Sequence, residues 1–420
     1  MDESNGEPVR YRDIFSHPLA RCIWLTSSIS NFGDFIGLGA LLLIAYDRSG
    51  DRPLGPAAIF AVQAVPAILI ATMIGPWLDR IPRIRGMVTL CLTGAACLAL
   101  PFLFRGLWPV LVTAAILGGV RTAFNSIRSG SIADSVTRRL RGRLLALTNL
   151  SYQVSEVSGY FIGTTVVIVT GAGPALAADA ATFVVAALLL GGLTLPPPSG
   201  GRRRSSLTTG IRAIFGDQTL AVLAPVAWVG LTMGAIPAAL ATTALHGSYR
   251  GWVPAAMAAC AAGLAVGGVI TGRTDLAEKV RGQLLYIIAG GACFALTAAA
   301  LTLSPLLLIA GNFAAGAGMG WTIATQTTFV LVIAPDRMAH ATSTMIASLI
   351  ALEGAGAVAF GAVAGSLGVP AAYLIAGLTE LTAGIIGLAC TRLRPRTLDI
   401  SRPKAAAISS AGPGGPGGAA

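Results

Sequence analysis

The strongest constraint on this chain is a series of apolar runs, each long enough to cross a bilayer, separated by short polar breaks. Reading the runs between charged residues or Gly/Pro breaks gives spans near 20–46, 54–77, 86–104, 107–134, 144–170 and 173–195, then 218–245, 251–272, 282–303, 305–334, 339–366 and 369–391. About twenty apolar residues coiled as a helix match the hydrocarbon thickness. Lipid offers no partner to open backbone N–H and C=O groups, so each run is expected to be helical. Composition agrees: 54% of residues are hydrophobic and only 11% charged, with a mean hydropathy of +0.75. A soluble domain carries about 25% charged residues, so there is too little polar surface here for a globule in water. The 420 residues would otherwise allow two or three soluble domains. The spans leave room only for loops, a linker and tails.

The expected architecture is an all-α membrane protein of twelve transmembrane helices in two six-helix bundles. Residues 1–19 form a cytoplasmic N-terminal segment, 20–195 the first bundle, 196–217 a cytoplasmic linker, 218–391 the second bundle and 392–420 a disordered cytoplasmic tail rich in Gly, Pro and Ala. The linker holds Pro196 to Pro198 and Arg202 to Arg204, and Leu207, Ile211, Ile214 and Phe215 recur in it at the spacing of a short interfacial helix. A cleavable signal peptide is not expected, since residues 1–17 carry acids and the first apolar run is too long.

Lysine and arginine fix the expected orientation, because basic loops stay on the cytoplasmic side. With the N-terminus inside, Arg80, Arg83, Arg85, Arg138, Arg139, Arg141, Arg143 and Arg202 to Arg204 fall inside, and Arg48, Arg52, Arg105 and Arg250 fall outside. Both termini are then cytoplasmic, and the net charge of +11 reflects topology rather than nucleic-acid binding. No basic patch with interleaved aromatics is present.

Enzyme chemistry finds no foothold. His17, His246 and His340 form no HExxH pair, and neither GxGD nor GxSxG occurs. Cys22, Cys91, Cys97, Cys260, Cys293 and Cys390 lie in or beside apolar runs without a CxxC or a Cys/His cluster, so they read as structural thiols. No cofactor and no metal are expected.

Intramembrane charge marks function, because each ionised side chain near the bilayer centre costs at least about 2.5 to 3.5 kcal/mol. Ser27, Ser30, Asn31 and Asp34 share one face of span one; Gly118, Arg121, Asn125 and Arg128 share one of span four; Asn149, Tyr152, Gln153, Glu156 and Tyr160 follow on span five. Asp34, Arg121 and Glu156 fall near mid-span and are expected to converge. Two carboxylates competing for one guanidinium, away from water, suit a group that takes up and releases protons. Glu353 is a further coupling candidate, on an otherwise apolar face of span eleven. It begins the stretch Glu353 to Gly356, which repeats the ExxG spacing of Glu156 to Gly159. Matched features in two halves point to parallel repeats with a site between them. Asp179 and Glu380 read as helix contacts on spans six and twelve. Arg128 is expected to snorkel or to pair with Asp134. Trp228, Thr232 and Met233, with Met319, Thr322, Gln326 and Phe329, would give the second half a tolerant apolar wall. Five acids against two arginines leave an excess of negative charge, which favours a cationic amphiphile as ligand.

The loop Gly75, Pro76, Trp77, Leu78, Asp79, Arg80, Ile81, Pro82, Arg83 between spans two and three resembles the GxxxDRxGRR signature of the major facilitator superfamily, with Pro82 in place of the usual Gly. Ser30 to Asp34 in span one and Leu176 to Phe183 in span six look like its twelve-span drug and macrolide exporter branch. The resemblance implies the major facilitator fold and a multi-pass protein of the cell membrane. It further implies proton-coupled efflux by an antiporter, of the kind associated with antibiotic resistance. Gly75, Asp79, Arg80, Arg83 and Asp134 would form the gating loop, Asp79 capping span eleven near His340 and Thr342. Gly159 and Gly163 meet part of the family's antiporter motif, but Tyr160 stands where its proline belongs. Proton coupling would rest on Asp34, Arg121, Glu156 and Glu353, and substrate binding on Asn31, Asn125, Tyr152, Gln153, Trp228, Thr232, Met319 and Gln326. The partners are a small-molecule substrate, protons and the bilayer, with the chain a monomer. The alternative is uptake of a small nutrient or organic anion clamped by Arg121.

Overall fold

The computed structural model describes residues 12–50, 52, 54–70, 81–136, 138–193, 231–232, 252–273, 280–300, 304–320 and 335–393. Within them the regular structure is helical: α1 (Arg12–Ser16), α2 (Pro18–Arg48), α3 (Leu54–Leu69), α4 (Arg83–Cys97), α5 (Leu100–Leu103), α6 (Trp108–Ser135), α7 (Arg138–Thr170), α8 (Ala172–Gly191), α9 (Val253–Arg273), α10 (Val280–Ala300), α11 (Pro305–Met319), α12 (Pro335–Leu367) and α13 (Val369–Leu393). Seven described helices are long and apolar enough to cross a membrane. Each expected span is represented in whole or part, the seventh only by Leu231 and Thr232. The linker 196–217, most of span seven and the tail from 394 lie outside the described residues.

The repeat is visible in the packing. In the first half α2 runs along α7 and α8, α3 packs on α6, and α4 packs on α8. The second half repeats this with α9 on α11 and α10 on α13. The halves meet through α3 against α12 and α7 against α9, the same pairing of second and fifth span made twice. The turns from fifth to sixth span also match, since Gly171 and Gly368 both take φ +89, a left-handed conformation that favours glycine.

Several boundaries differ from the apolar runs, each for a local reason. The third span splits into α4 and α5, because Pro101 lacks the N–H that would bond the Cys97 carbonyl. The Thr113 hydroxyl of α6 donates to that carbonyl instead, at 3.0 Å. α7 starts at Arg138 and α12 at Pro335, several residues before the apolar stretches at 144 and 339. Arginine and leucine are good helix formers, so a helix continues past the membrane-length segment, and proline is favoured at a first helical position. Asp336 therefore falls in the first turn of α12, and His340 and Thr342 lie inside the helix. α8 ends at Gly191 rather than 195. The N-terminal segment contributes to packing: Ile14 of α1 is fully buried with Ile23, Ile132 and Leu144 in a satellite core.

The outer face is apolar, with Val169 75% and Leu188 73% exposed. A soluble monomer rarely shows such a surface, whereas lipid accepts it. Exposed hydroxyls on this face bond back into their own helices, as Thr165 does to Phe161 and Thr379 to Ile375. At one end Arg48 closes the turn after α5, donating to the carbonyls of Pro101 at 2.6 Å and Gly106 at 3.1 Å.

Two GxxxG sequences bring α9 and α11 together. A Cβ on Gly263 or Gly267 would strike the backbone of Phe313 or Ala317, and one on Gly316 would strike Cys260. Without a hydrophobic force between helices in lipid, such close backbone approach supplies the contact. Gly263→Val should therefore cost about 1–3 kcal/mol through overpacking. A Cβ on Gly191 meets open space, so Gly191→Ala should leave stability unchanged. Thermal denaturation of the purified protein in detergent would show a clear loss for the first and none for the second.

Candidate functional site

The site begins with the crossing of α2 and α7. A Cβ on Gly159 would lie 2.6 Å from the Phe35 Cβ, and one on Gly163 2.6 Å from the Ile36 Cα. These glycines let α7 press directly on α2. The approach seats Phe35 between Tyr152 and Tyr160, at ring distances of 5.3 and 5.1 Å. Tyr160 thus fills the place of the family's proline as a packing residue.

Arg121 of α6 lies beside this aromatic group, its guanidinium 5.9 Å from the Phe35 ring centre. Its Nε donates to Asp34 Oδ2 at 3.2 Å, with 35% of the Arg121 and 11% of the Asp34 side chain exposed. Glu156 on α7 and Glu353 on α12 stand near enough that each, when ionised, feels the other and the charge of Arg121. Glu353 is therefore not isolated: it brings a carboxyl of the second half toward the acids of the first.

A second tier lies nearer the N-terminal end of α2. Arg128 Nη1 donates to Ser27 Oγ at 2.9 Å. Ser27 precedes Asp34 by seven residues and Arg128 follows Arg121 by seven, so on antiparallel helices both steps lead the same way, by about 10 Å. Ser27, Ser30, Asn31 and Asn125 line a cleft with Asp34, Arg121 and Arg128, and Val120, Phe124 and Phe183 close it. Its interior of about 20 Å³ has room for about one water. Arg128 was expected to snorkel or pair with Asp134; its partner among the described side chains is Ser27.

The other expected site residues divide by place. Gln153 lies on α7 with its amide nitrogen buried and without a hydrogen-bond partner among the described residues. Tyr152 is 36% exposed, Thr232 is fully buried, and Met319 is buried at the end of α11. None of these four lines the cleft. Trp228, Gln326, Gly75, Asp79 and Arg80 lie outside the described residues; Arg83 opens α4 and Asp134 falls in the last turn of α6. Asp179 and Glu380 are fully buried at helix contacts, Asp179 against Gly37 of α2 and Glu380 against Gly290 of α10. Phe124 and Phe183 were not anticipated in the cleft. Phe124 is one helical turn from Arg121 and could have been placed by spacing; Phe183 comes from α8 and leaves no local signal.

A helical bundle in two halves, with a charged cleft inside the first, is an architecture suited to a membrane transporter. The family model for the Major Facilitator Superfamily matches residues 23–352, and the chain belongs to that superfamily. Among curated proteins none matches it. Solved structures with the same fold include the nucleoside transporter NupG, at TM-score 0.70 and 12% identity, covering 89% of this chain and 99% of that one. A bacterial homolog of the human lysosomal transporter Spinster, inward-facing and unoccupied, gives 0.66 and 15%, with coverages of 91% and 98%. A peptide transporter POT in complex with sulfate gives 0.68 and 13%, with coverages of 91% and 96%.

Arg121→Gln would leave Asp34 buried without its cation. Breaking a fully buried pair costs about 3–5 kcal/mol; the partial exposure of Arg121 reduces this to about 1–3 kcal/mol. The double change Asp34→Asn with Arg121→Gln should unfold at a higher temperature than Arg121→Gln alone. Equal or additive losses would show that the two side chains are not coupled.

Proposed function

We propose that the protein is a proton-coupled secondary transporter that exports a drug, antibiotic or other amphiphilic small molecule by alternating access. One observation carries the reading: the Asp34–Arg121 pair opens on a cleft inside the bundle, with a carboxyl from each half, Glu156 and Glu353, on helices through which the halves meet. A proton on Asp34 cancels its attraction for Arg121 and frees the guanidinium. Arg121 then responds to Glu156 and to Glu353, and Glu353 belongs to the half that must move relative to it. Protonation thereby changes the electrostatic balance between the halves, which a coupled transporter requires. Uptake of a small nutrient or organic anion clamped by Arg121 would require Arg121 to leave Asp34.

The gating loop is part of the proposal. Asp79, with Arg80, Arg83 and Asp134, would hold the outward-open state by placing a carboxylate at the positive end of a helix. Asp79→Asn should then lower turnover more than substrate affinity and shift crosslinking between paired cysteines at the inner and outer mouths. An unchanged distribution of open states counts against the latch.

Coupling itself is tested in proteoliposomes with a substrate found by screening toxic compounds on a sensitive host expressing the protein. Asp34→Asn and Glu156→Gln should each abolish gradient-driven transport while leaving substrate exchange and membrane insertion intact. Full active transport in both variants would overturn the coupling role, and accumulation against an imposed inward-acidic gradient in inside-out vesicles checks the direction.

A further inference from the structure

The charge inside the cleft differs from the charge of the bundle as a whole. Counted over the bundle, acids outnumber arginines, and a cationic ligand was expected on that ground. The cleft itself is lined by Arg121, Arg128 and the single acid Asp34, while Glu156, Glu353, Asp179 and Glu380 do not line it. Asp34 is matched by Arg121 at 3.2 Å. Arg128 has only the neutral Ser27 hydroxyl as its partner among the described side chains. A guanidinium has five N–H donors in a planar fork and no acceptor. One is given to Ser27, itself 1% exposed, and Arg128 lines the cleft together with Ser30, Asn31 and Asn125.

We propose that Arg128 is the ligand anchor of this cleft, and that the transported molecule carries an anionic head, a carboxylate or phosphate-type group, bound by the Arg128 fork. The proposal deepens the transporter reading by naming the substrate class and by moving the anion clamp from Arg121, which is committed to Asp34, to Arg128. An anion supplies a counter-charge that Arg128 does not find among the described side chains. A carboxylate or phosphate also matches the fork geometry with two parallel hydrogen bonds, which an ammonium or amide cannot accept. Ser30, Asn31 and Asn125 offer further hydroxyl and amide groups to the same head. Phe124 and Phe183 give the adjoining apolar part of the molecule a wall. In this state the cleft has room for about one water, so the head group and the body behind it enter as the helices separate.

The test is equilibrium binding to the full-length purified protein, which needs no proton gradient. Probes are matched aryl carboxylates, aryl carboxamides and aryl amines of the same ring size. In the wild type the best carboxylate should bind at least about tenfold more tightly than its amide, the scale of a charge-assisted hydrogen bond, and more tightly than its amine. Arg128→Gln should reduce the carboxylate to the affinity of the amide and leave the amide unchanged. Arg128→Lys keeps the charge without the fork and should retain the preference at reduced affinity; it also serves if the glutamine variant does not fold.

Measurement in phosphatidylcholine nanodiscs with and without phosphatidylglycerol separates a solute from a lipid headgroup. Equal probe affinity in both supports the solute site, and loss of affinity with phosphatidylglycerol assigns the fork to lipid and overturns the proposal. It is equally overturned by tightest binding of the amines, by no binding of any carboxylate, or by a carboxylate preference that survives Arg128→Gln. Any of these leaves the coupling role of Asp34 standing on its own transport test.

Discussion

An arginine inside an apolar bundle must find its counter-charge within reach, and the first half of this protein is arranged around that requirement. Asp34 meets Arg121 at 3.2 Å, and α7 presses on α2 closely enough to hold Phe35 beside the guanidinium. That approach depends on Gly159 and Gly163, where a side chain would collide with Phe35 and Ile36. Small residues, an aromatic cluster and an ion pair thus form one dependent series. Packing fixes where the ring sits, the ring flanks the guanidinium, and the guanidinium sets the local field for the carboxyls.

The same field joins the two halves. They touch through α3 with α12 and α7 with α9, contacts of packed helices joined across α7 and α9 by the hydroxyl of Thr164 donating to the Met257 sulfur at 3.8 Å. Glu156 lies on one of these helices and Glu353 on another, so their mutual repulsion acts across the surface along which the halves would move. Arg121 moderates it. A transporter needs chemistry at one site to alter the balance between two arrangements of its halves, and charges on contact helices provide that link without a long relay.

Much of this was legible in the sequence. Run length and hydropathy identified the spans, since in lipid a helix is the one local solution for the backbone. The seven-residue stripes placed Ser27 and Asp34 on one face and Arg121 and Arg128 on another, because helical spacing is a local property. Long-range choices were not legible. Nothing local in Arg128 points to Ser27 as a partner, and Phe183 enters the cleft only because α8 packs along α2. Helix starts were missed at Arg138 and Pro335, where the helix continues after the apolar signal has stopped. Glu353 looked solitary because its neighbours come from the other half of the chain.

The distinction between structural and working acids rests on what surrounds each. Asp179 and Glu380 lie in closely packed contacts within their own halves, each against a glycine of a neighbouring helix, at Gly37 and Gly290. Neither lines the cleft that Asp34 borders. Asp34 borders a cleft, and Glu156 and Glu353 act across the boundary between halves. Burial alone would have ranked the first two acids highest, since both are fully inaccessible. Access and relative motion order them differently: a group that exchanges protons must be reachable from water in some state, and one that couples that exchange to movement must feel a charge in the part that moves.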